Sequence, residues 1–102
     1  MKHFIFSLFL FLSSFISSEA KVYFINLNDG DQVQSPFLVQ FGLSGKGIAP
    51  AGTDRENTGH HHLLIDVDKI DFKKSIPSSP NHIHFGGGQT ESLIELLPGN
   101  YS

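Results

Sequence analysis

Histidine is the residue type that concentrates potential chemistry in this sequence. The chain has 102 residues and six histidines, and five of the six lie in two short segments, GHHHLLID at residues 59–66 and HIHF at residues 82–85. Imidazole is the commonest protein ligand for transition metals near neutral pH. We therefore begin with these two segments and ask which chain elements would position them.

Strand geometry sorts the histidines into two groups. Successive side chains of a β-strand point to opposite faces, so residues two apart share a face. If the two segments are neighbouring strands, four imidazoles lie on one sheet face. The pattern predicts a metal-binding patch on that face, made of His60, His62, His82 and His84. His61 falls on the other face with Leu63 and Ile65, and we expect it to point into the core.

An acidic residue extends the predicted patch. Asp66 has the same parity as His60 and His62, so we expect it to serve as a ligand or to orient an imidazole by accepting its N–H. Glu91 is a weaker choice for the same role. The sequence contains no cysteine, which leaves Cu(II), Zn(II) or Ni(II) as fitting ions, with copper or zinc favoured in an exported protein. A small polar ligand is also compatible with such a face.

A structural role for the same histidines is the alternative. Buried polar side chains are usually hydrogen-bonded, and the imidazoles could be paired with the backbone or with Gln89, Thr90 or Glu91. They would then join the strands through an internal polar network and bind nothing. The sequence leaves both interpretations open.

Catalysis has weaker support in the sequence. A zinc hydroxide held by three histidines would be hydrolytic, but it also needs a general base and a substrate cleft, and the sequence identifies neither. Ser44 or Ser92 with a histidine and Asp66 would make a triad on paper, but no nucleophile elbow surrounds either serine. We therefore expect a binding module, or a structural or interaction domain of the cell envelope, and lean against an enzyme.

The first twenty residues have the composition of a signal peptide. In Met1–Ala20, a basic Lys2 precedes an apolar run over residues 4–12, and small residues stand at Ser18 and Ala20. This order is typical of a secretory leader, and the apolar run is short for a membrane span. We predict cleavage after Ala20, no membrane span after cleavage, and a single domain over residues 21–102.

Charge and composition limit the partners. The formal net charge is −3, and no basic stripe is present, which argues against a nucleic-acid partner. The lack of cysteine excludes a disulfide framework and thiolate metal sites. Stability must then come from a small apolar core, with or without a bound ion.

The remaining pattern indicates an all-β fold. The residues from 37 to 43 alternate between apolar and mixed positions, the clearest period of two in the chain. Turn residues and a long aperiodic connection at residues 45–57 separate the segments, and no convincing helix is present. We predict an antiparallel β-sandwich with five principal strands, over residues 22–27, 37–43, 59–66, 82–85 and 89–97.

Residues 22–102 resemble a known family. The blocks GHHHLLID and HFGGGQTE, with the upstream VYFINLNDGDQVQSPFLVQF and the closing LLPGNYS, are similar to the secreted bacterial family called domain of unknown function 4399. The resemblance implies an immunoglobulin-like β-sandwich in the periplasm or outside the cell, with no established activity. Family members normally continue through further strands, so it also implies a domain truncated at its C-terminus and missing its last strands.

Overall fold

A computed structural model describes residues 19–102 of the chain. Most of the predicted signal peptide, residues 1–18, lies outside this range. The described residues form seven β-strands and no helix, and hence no helix that could cross a membrane. The strands are β1 (Lys21–Phe24), β2 (Phe37–Ser44), β3 (Gly47–Ile48), β4 (Thr58–Gly59), β5 (His62–Leu64), β6 (His82–His84) and β7 (Glu91–Ile94). The predicted all-β fold class is confirmed.

β2 is the central strand of the largest sheet. It pairs with β1 and with β7, antiparallel in both cases, in the order β1-β2-β7. Its alternating sequence explains this position, because Val39 and Phe41 are 2% and 6% exposed while Leu38, just before them, is 38% exposed. The face that carries Val39 and Phe41 is therefore the core face of the sheet.

Two smaller sheets carry the histidine segments. β3 and β4 pair in parallel, with Gly47 opposite Thr58. β5 and β6 pair antiparallel, with Leu63 opposite Ile83. Hydrogen bonds extend this second ladder at both ends, from Phe85 N to His61 O at 3.0 Å and from Ile65 N to Asn81 O at 2.9 Å.

The hydrophobic core lies between the β1-β2-β7 sheet and the β5-β6 sheet. The ring centroids of Phe41 and Phe85 lie 4.8 Å apart, within the range for favourable aromatic packing. Six buried apolar residues make up the core: Val39, Phe41, Leu63, Ile65, Phe85 and Ile94. Antiparallel sheets that share one core match the predicted layering, whereas the immunoglobulin-like connectivity and the missing last strands stay predictions.

Several strand boundaries differ from the predicted ones. The segment 59–66 is divided between β4 and β5, because the chain leaves one small sheet at Gly59 and enters the other at His62. Asp66 has a φ of +56°, a left-handed conformation that cannot continue a strand. The connection at residues 45–57, which we expected to be irregular, contains the short strand β3.

Two neighbouring residues of β7 test the assignment of the core. Ile94 is 6% exposed and Leu93 is 67% exposed. We expect Ile94→Ala to lower the free energy of unfolding by about 2–5 kcal/mol, because it leaves a cavity in the core. Leu93→Ala, the matched control, should change it by about 0.5 kcal/mol or less. Urea denaturation measures both, and equal losses would contradict the assigned core face.

Candidate metal centre

Three imidazoles converge at one end of the β5-β6 ladder. His60, His62 and His84 each offer one ring nitrogen, and these three atoms lie within 4.8 Å of one another. The three ring centroids are pairwise 4.8 Å apart. We call these residues the histidine trio. His60 and His62 are half-buried and His84 is exposed, so the trio is open to solvent on one side.

The strand register assembles the trio. His62 lies directly opposite His84 in the β5-β6 pair, and directly opposed side chains on one face are close neighbours. His60 comes two residues before His62, just ahead of β5, and the same alternation brings it to that face. The sequence pattern predicted a patch of four histidines, and the structure brings three of them together.

A glycine makes room for one of the three rings. A Cβ at position 86 would fall 2.6 Å from Cε1 and 3.0 Å from Nε2 of His84, so the imidazole occupies the space that any other side chain would need. The run Gly86-Gly87-Gly88 was the sequence signal for a close approach of this kind. What the sequence did not reveal was that His84 is the group that approaches.

The fourth predicted histidine lies one step along the ladder. His82 is opposite Leu64 instead of His62, and its Nδ1 is 2.7 Å from the hydroxyl oxygen of Ser79. It shares a strand face with His84 but is not part of the trio. The structure thus places three of the four histidines together and gives the fourth a different hydrogen-bond partner.

Asp66 also has other contacts. Its Oδ1 accepts a hydrogen bond from the backbone N–H of Ser102 at 2.8 Å, and its own N–H donates to the backbone oxygen of Ser102 at 2.7 Å. Its left-handed φ takes it off the strand that was expected to align it with His60 and His62. Among residues 19–102, the cluster suited to a metal contains the trio and not Asp66.

His61 points into the core, as the alternation predicted. It is 7% exposed, and its ring centroid lies 5.1 Å from that of Phe41. Its Nε2 is buried without a hydrogen-bond partner. Its contact in the core is therefore with an aromatic ring.

Burial affects the charge state of two histidines. Desolvation lowers the pKa of His62, and the neighbouring His60 and His84 lower it further. Desolvation also lowers the pKa of His61, again with a contribution from His60. Since only a neutral imidazole has a lone pair to offer an ion, the lowered pKa of His62 favours its ligand form near neutral pH.

The hydrogen bonds around the trio bear on its role. Nε2 of His62 and Nε2 of His60 lie 3.0 Å apart, so one ring donates to the other. Nδ1 of His62 is buried and has no partner. The side-chain oxygen of Gln89 accepts the N–H of Gly87, and the carboxylate of Glu91 accepts the side-chain amide of Gln40. These contacts direct both residues, which the structural interpretation would pair with histidines, to other partners.

The connection at residues 45–57 lies beside this site. Ala51 N donates to Gly86 O at 2.8 Å, next to His84, and Ala49 N donates to Gly59 O at 2.9 Å, next to His60. The connection is therefore fixed to the backbone on both sides of the trio. It therefore runs beside the residues that flank the trio.

The fold and the site together define a small all-β domain with a three-histidine cluster. The sequence model of the family described as domain of unknown function (DUF4399) matches residues 39–102. The chain belongs to this family. The match includes both histidine segments, although it begins later than the resemblance, which started at residue 22. No curated protein and no solved structure matches the chain.

Two glycines beside the trio test the arrangement of its rings. Gly86→Ala should displace the His84 imidazole, because the new methyl group would overlap it. Gly59→Ala is the matched control, since a Cβ there meets nothing within 4 Å, and neither glycine has a positive φ. Nitrogen-15 NMR of the imidazoles should show altered His84 signals in Gly86→Ala only. Unchanged His84 signals in Gly86→Ala would contradict the assigned ring position.

Proposed function

We propose that this protein is an exported, non-catalytic binding protein for a divalent transition metal ion, with copper or zinc held by the histidine trio. The observation that carries this proposal is the convergence of three ring nitrogens within 4.8 Å, from the paired strands β5 and β6 and the residue two positions before His62. Three histidine ligands with one open position form a well-known zinc arrangement, and copper also accepts imidazole.

The spacing of the nitrogens fits an ion after a small movement. Zinc–nitrogen bonds of about 2.0–2.1 Å in tetrahedral geometry place ligand nitrogens about 3.3 Å apart. The His60 and His62 Nε2 atoms are 3.0 Å apart, and the most distant pair of donor atoms in the trio is no more than 4.8 Å apart. Because His84 is exposed, a side-chain rotation is enough to close the trio around an ion.

We propose no catalytic role for the histidine trio. The triad considered from the sequence has other contacts, since Asp66 accepts hydrogen bonds from Ser102 and the Ser92 hydroxyl lies 3.4 Å from the carbonyl oxygen of Leu93. A hydrolytic zinc site would also need a general base beside the ion. Binding needs only the trio.

A structural domain of the cell envelope is the second candidate function. The hydrogen bond between His60 and His62 favours it, because such bonds join a strand to the segment before it. Against it, Nδ1 of His62 and Nε2 of His61 are buried without partners, whereas a polar network that serves stability satisfies its members. A bound ion accounts better for the clustering of three imidazoles.

Calorimetric titration with Zn(II) and Cu(II) tests the metal proposal. We expect His60→Ala, His62→Ala and His84→Ala each to weaken binding by about tenfold or more, since each removes one of three ligands. His82→Ala is the matched control from the same strand face, and it should leave the affinity within about twofold. Melting curves of the metal-free variants report whether each one folds.

Two results would defeat the metal proposal. One is a wild-type dissociation constant for both ions weaker than roughly 1 mM, which corresponds to about 4 kcal/mol of binding free energy. The other is an equal loss of affinity in His82→Ala and His84→Ala. If the wild type binds neither ion and the trio variants melt at lower temperature, the structural function is the better one.

Export is supported by the N-terminal sequence. The basic start, the apolar run and the small residues at Ser18 and Ala20 favour cleavage and a periplasmic or extracellular location. Mass spectrometry of the protein from the exported fraction should therefore find Lys21 at the N-terminus. A retained Met1 in that fraction would refute cleavage.

A further inference from the structure

A cavity lies apart from the histidine trio, along the segment that joins β5 to β6. Its volume is about 220 Å³, and it is lined by residues of segment 67–77 together with Leu64 of β5 and His82 of β6. None of the three trio residues lines it. It is therefore a separate site, located one step farther along the same ladder.

The walls of this cavity are apolar on one side. Leu64, Val67, Ile70 and Ile76 contribute aliphatic surface to the lining. Leu64 is directly opposite His82 in the strand register, so the aliphatic wall and the imidazole are neighbours on one face. Sites of this type, apolar with a few placed polar groups, are those that bind small organic molecules. The volume is below the roughly 300–1,000 Å³ of drug-sized sites, so the ligand must be small.

The polar groups of the cavity favour an anion. Lys69 and Lys74 both line it, and ammonium groups donate charge-assisted hydrogen bonds to carboxylates. The lining has one acidic residue, Asp71. Its Oδ1 accepts a hydrogen bond from the backbone N–H of Lys73 at 3.0 Å, so one carboxylate oxygen already has a partner within its own turn. The lining therefore carries one more positive than negative group.

His82 lines the cavity and offers a ring nitrogen for a hydrogen bond to a ligand. Its Nδ1 is 2.7 Å from the Ser79 hydroxyl oxygen, which fixes the ring and leaves Nε2 as the nitrogen for a ligand. When the Ser79 hydroxyl donates to Nδ1, Nε2 carries the proton and is a donor. The strand register, which sets His82 opposite Leu64, positions it away from the trio.

From these contacts we propose that the cavity binds a small carboxylate with a short aliphatic chain. The aliphatic chain of the ligand packs against the aliphatic wall of the cavity. Its carboxylate accepts hydrogen bonds from Lys69 or Lys74 and from His82 Nε2. Because the cavity and the trio share no residue, this binding does not require a metal ion. The proposal is independent of the proposed metal function.

Titration with hexanoate, monitored by proton–nitrogen NMR, tests the proposal. The titration is done on the protein with a chelator present, so that it is metal-free, and is repeated without the chelator. We expect saturable shifts in residues 64–82 with a dissociation constant of about 1 mM or tighter, as suits a ligand of this size. Hexylamine and hexanol, which share the chain but lack the carboxylate, should bind at least about tenfold more weakly, since they lose charged hydrogen bonds.

Variants separate recognition at the cavity from general surface charge. Lys69→Ala combined with Lys74→Ala should weaken hexanoate binding by about tenfold. Lys73→Ala is the matched control, since Lys73 has the same charge and adjoins Lys74 but does not line the cavity. It should leave binding within about twofold. The dispersion of each spectrum shows whether the variant is folded. If the double variant is not folded, Lys74→Gln takes its place.

Several outcomes would overturn the proposal. Hexanoate shifts that do not saturate would remove the site, and equal binding of hexanol would remove the recognition of the carboxylate. An equal loss in Lys73→Ala would reduce the effect to surface charge. Binding that disappears with the chelator and in His84→Ala would place the carboxylate on a metal at the trio, against an independent site.

Discussion

The pairing register of β5 and β6 is the constraint on which the candidate site depends. With His62 opposite His84 and Leu63 opposite Ile83, three imidazoles are on one face while His61, Leu63 and Ile65 are buried on the other. A shift of one residue would reverse both faces, burying the trio and exposing the core residues. The packing of Phe41 against Phe85 and His61 opposes that shift. The core therefore holds the site in register.

The same ladder separates two kinds of surface. At one end, Gly86 leaves space for the ring of His84, and the imidazoles face one another in an open cluster. At the other end, His82 turns to Ser79 and faces an aliphatic cavity along segment 67–77. One strand of three residues thus contributes a histidine to each site. The two sites differ in chemistry because one is surrounded by imidazoles and the other by aliphatic and lysine side chains.

Much of this arrangement follows from sequence alternation, and some of it does not. The period of two indicates that Val39 and Phe41 share one strand face, and it correctly separated His61 from its neighbours, because strand geometry is local. It did not predict that His82 would have Ser79 as a partner, since register and loop contacts depend on distant residues. It also extended the strand to Asp66, whose left-handed φ ends it. The role of Gly86 required knowledge of which ring lies above it.

X-ray absorption of the zinc-loaded protein would test the central claim most directly, because it counts the ligands of the ion itself. The trio predicts three imidazole nitrogens at about 2.0–2.1 Å, with one further light atom completing four-coordination. His82→Ala should leave that spectrum unchanged, and His84→Ala should reduce the imidazole count. A spectrum with one imidazole or none, in a shell of about six oxygens, would contradict a metal centre built from His60, His62 and His84.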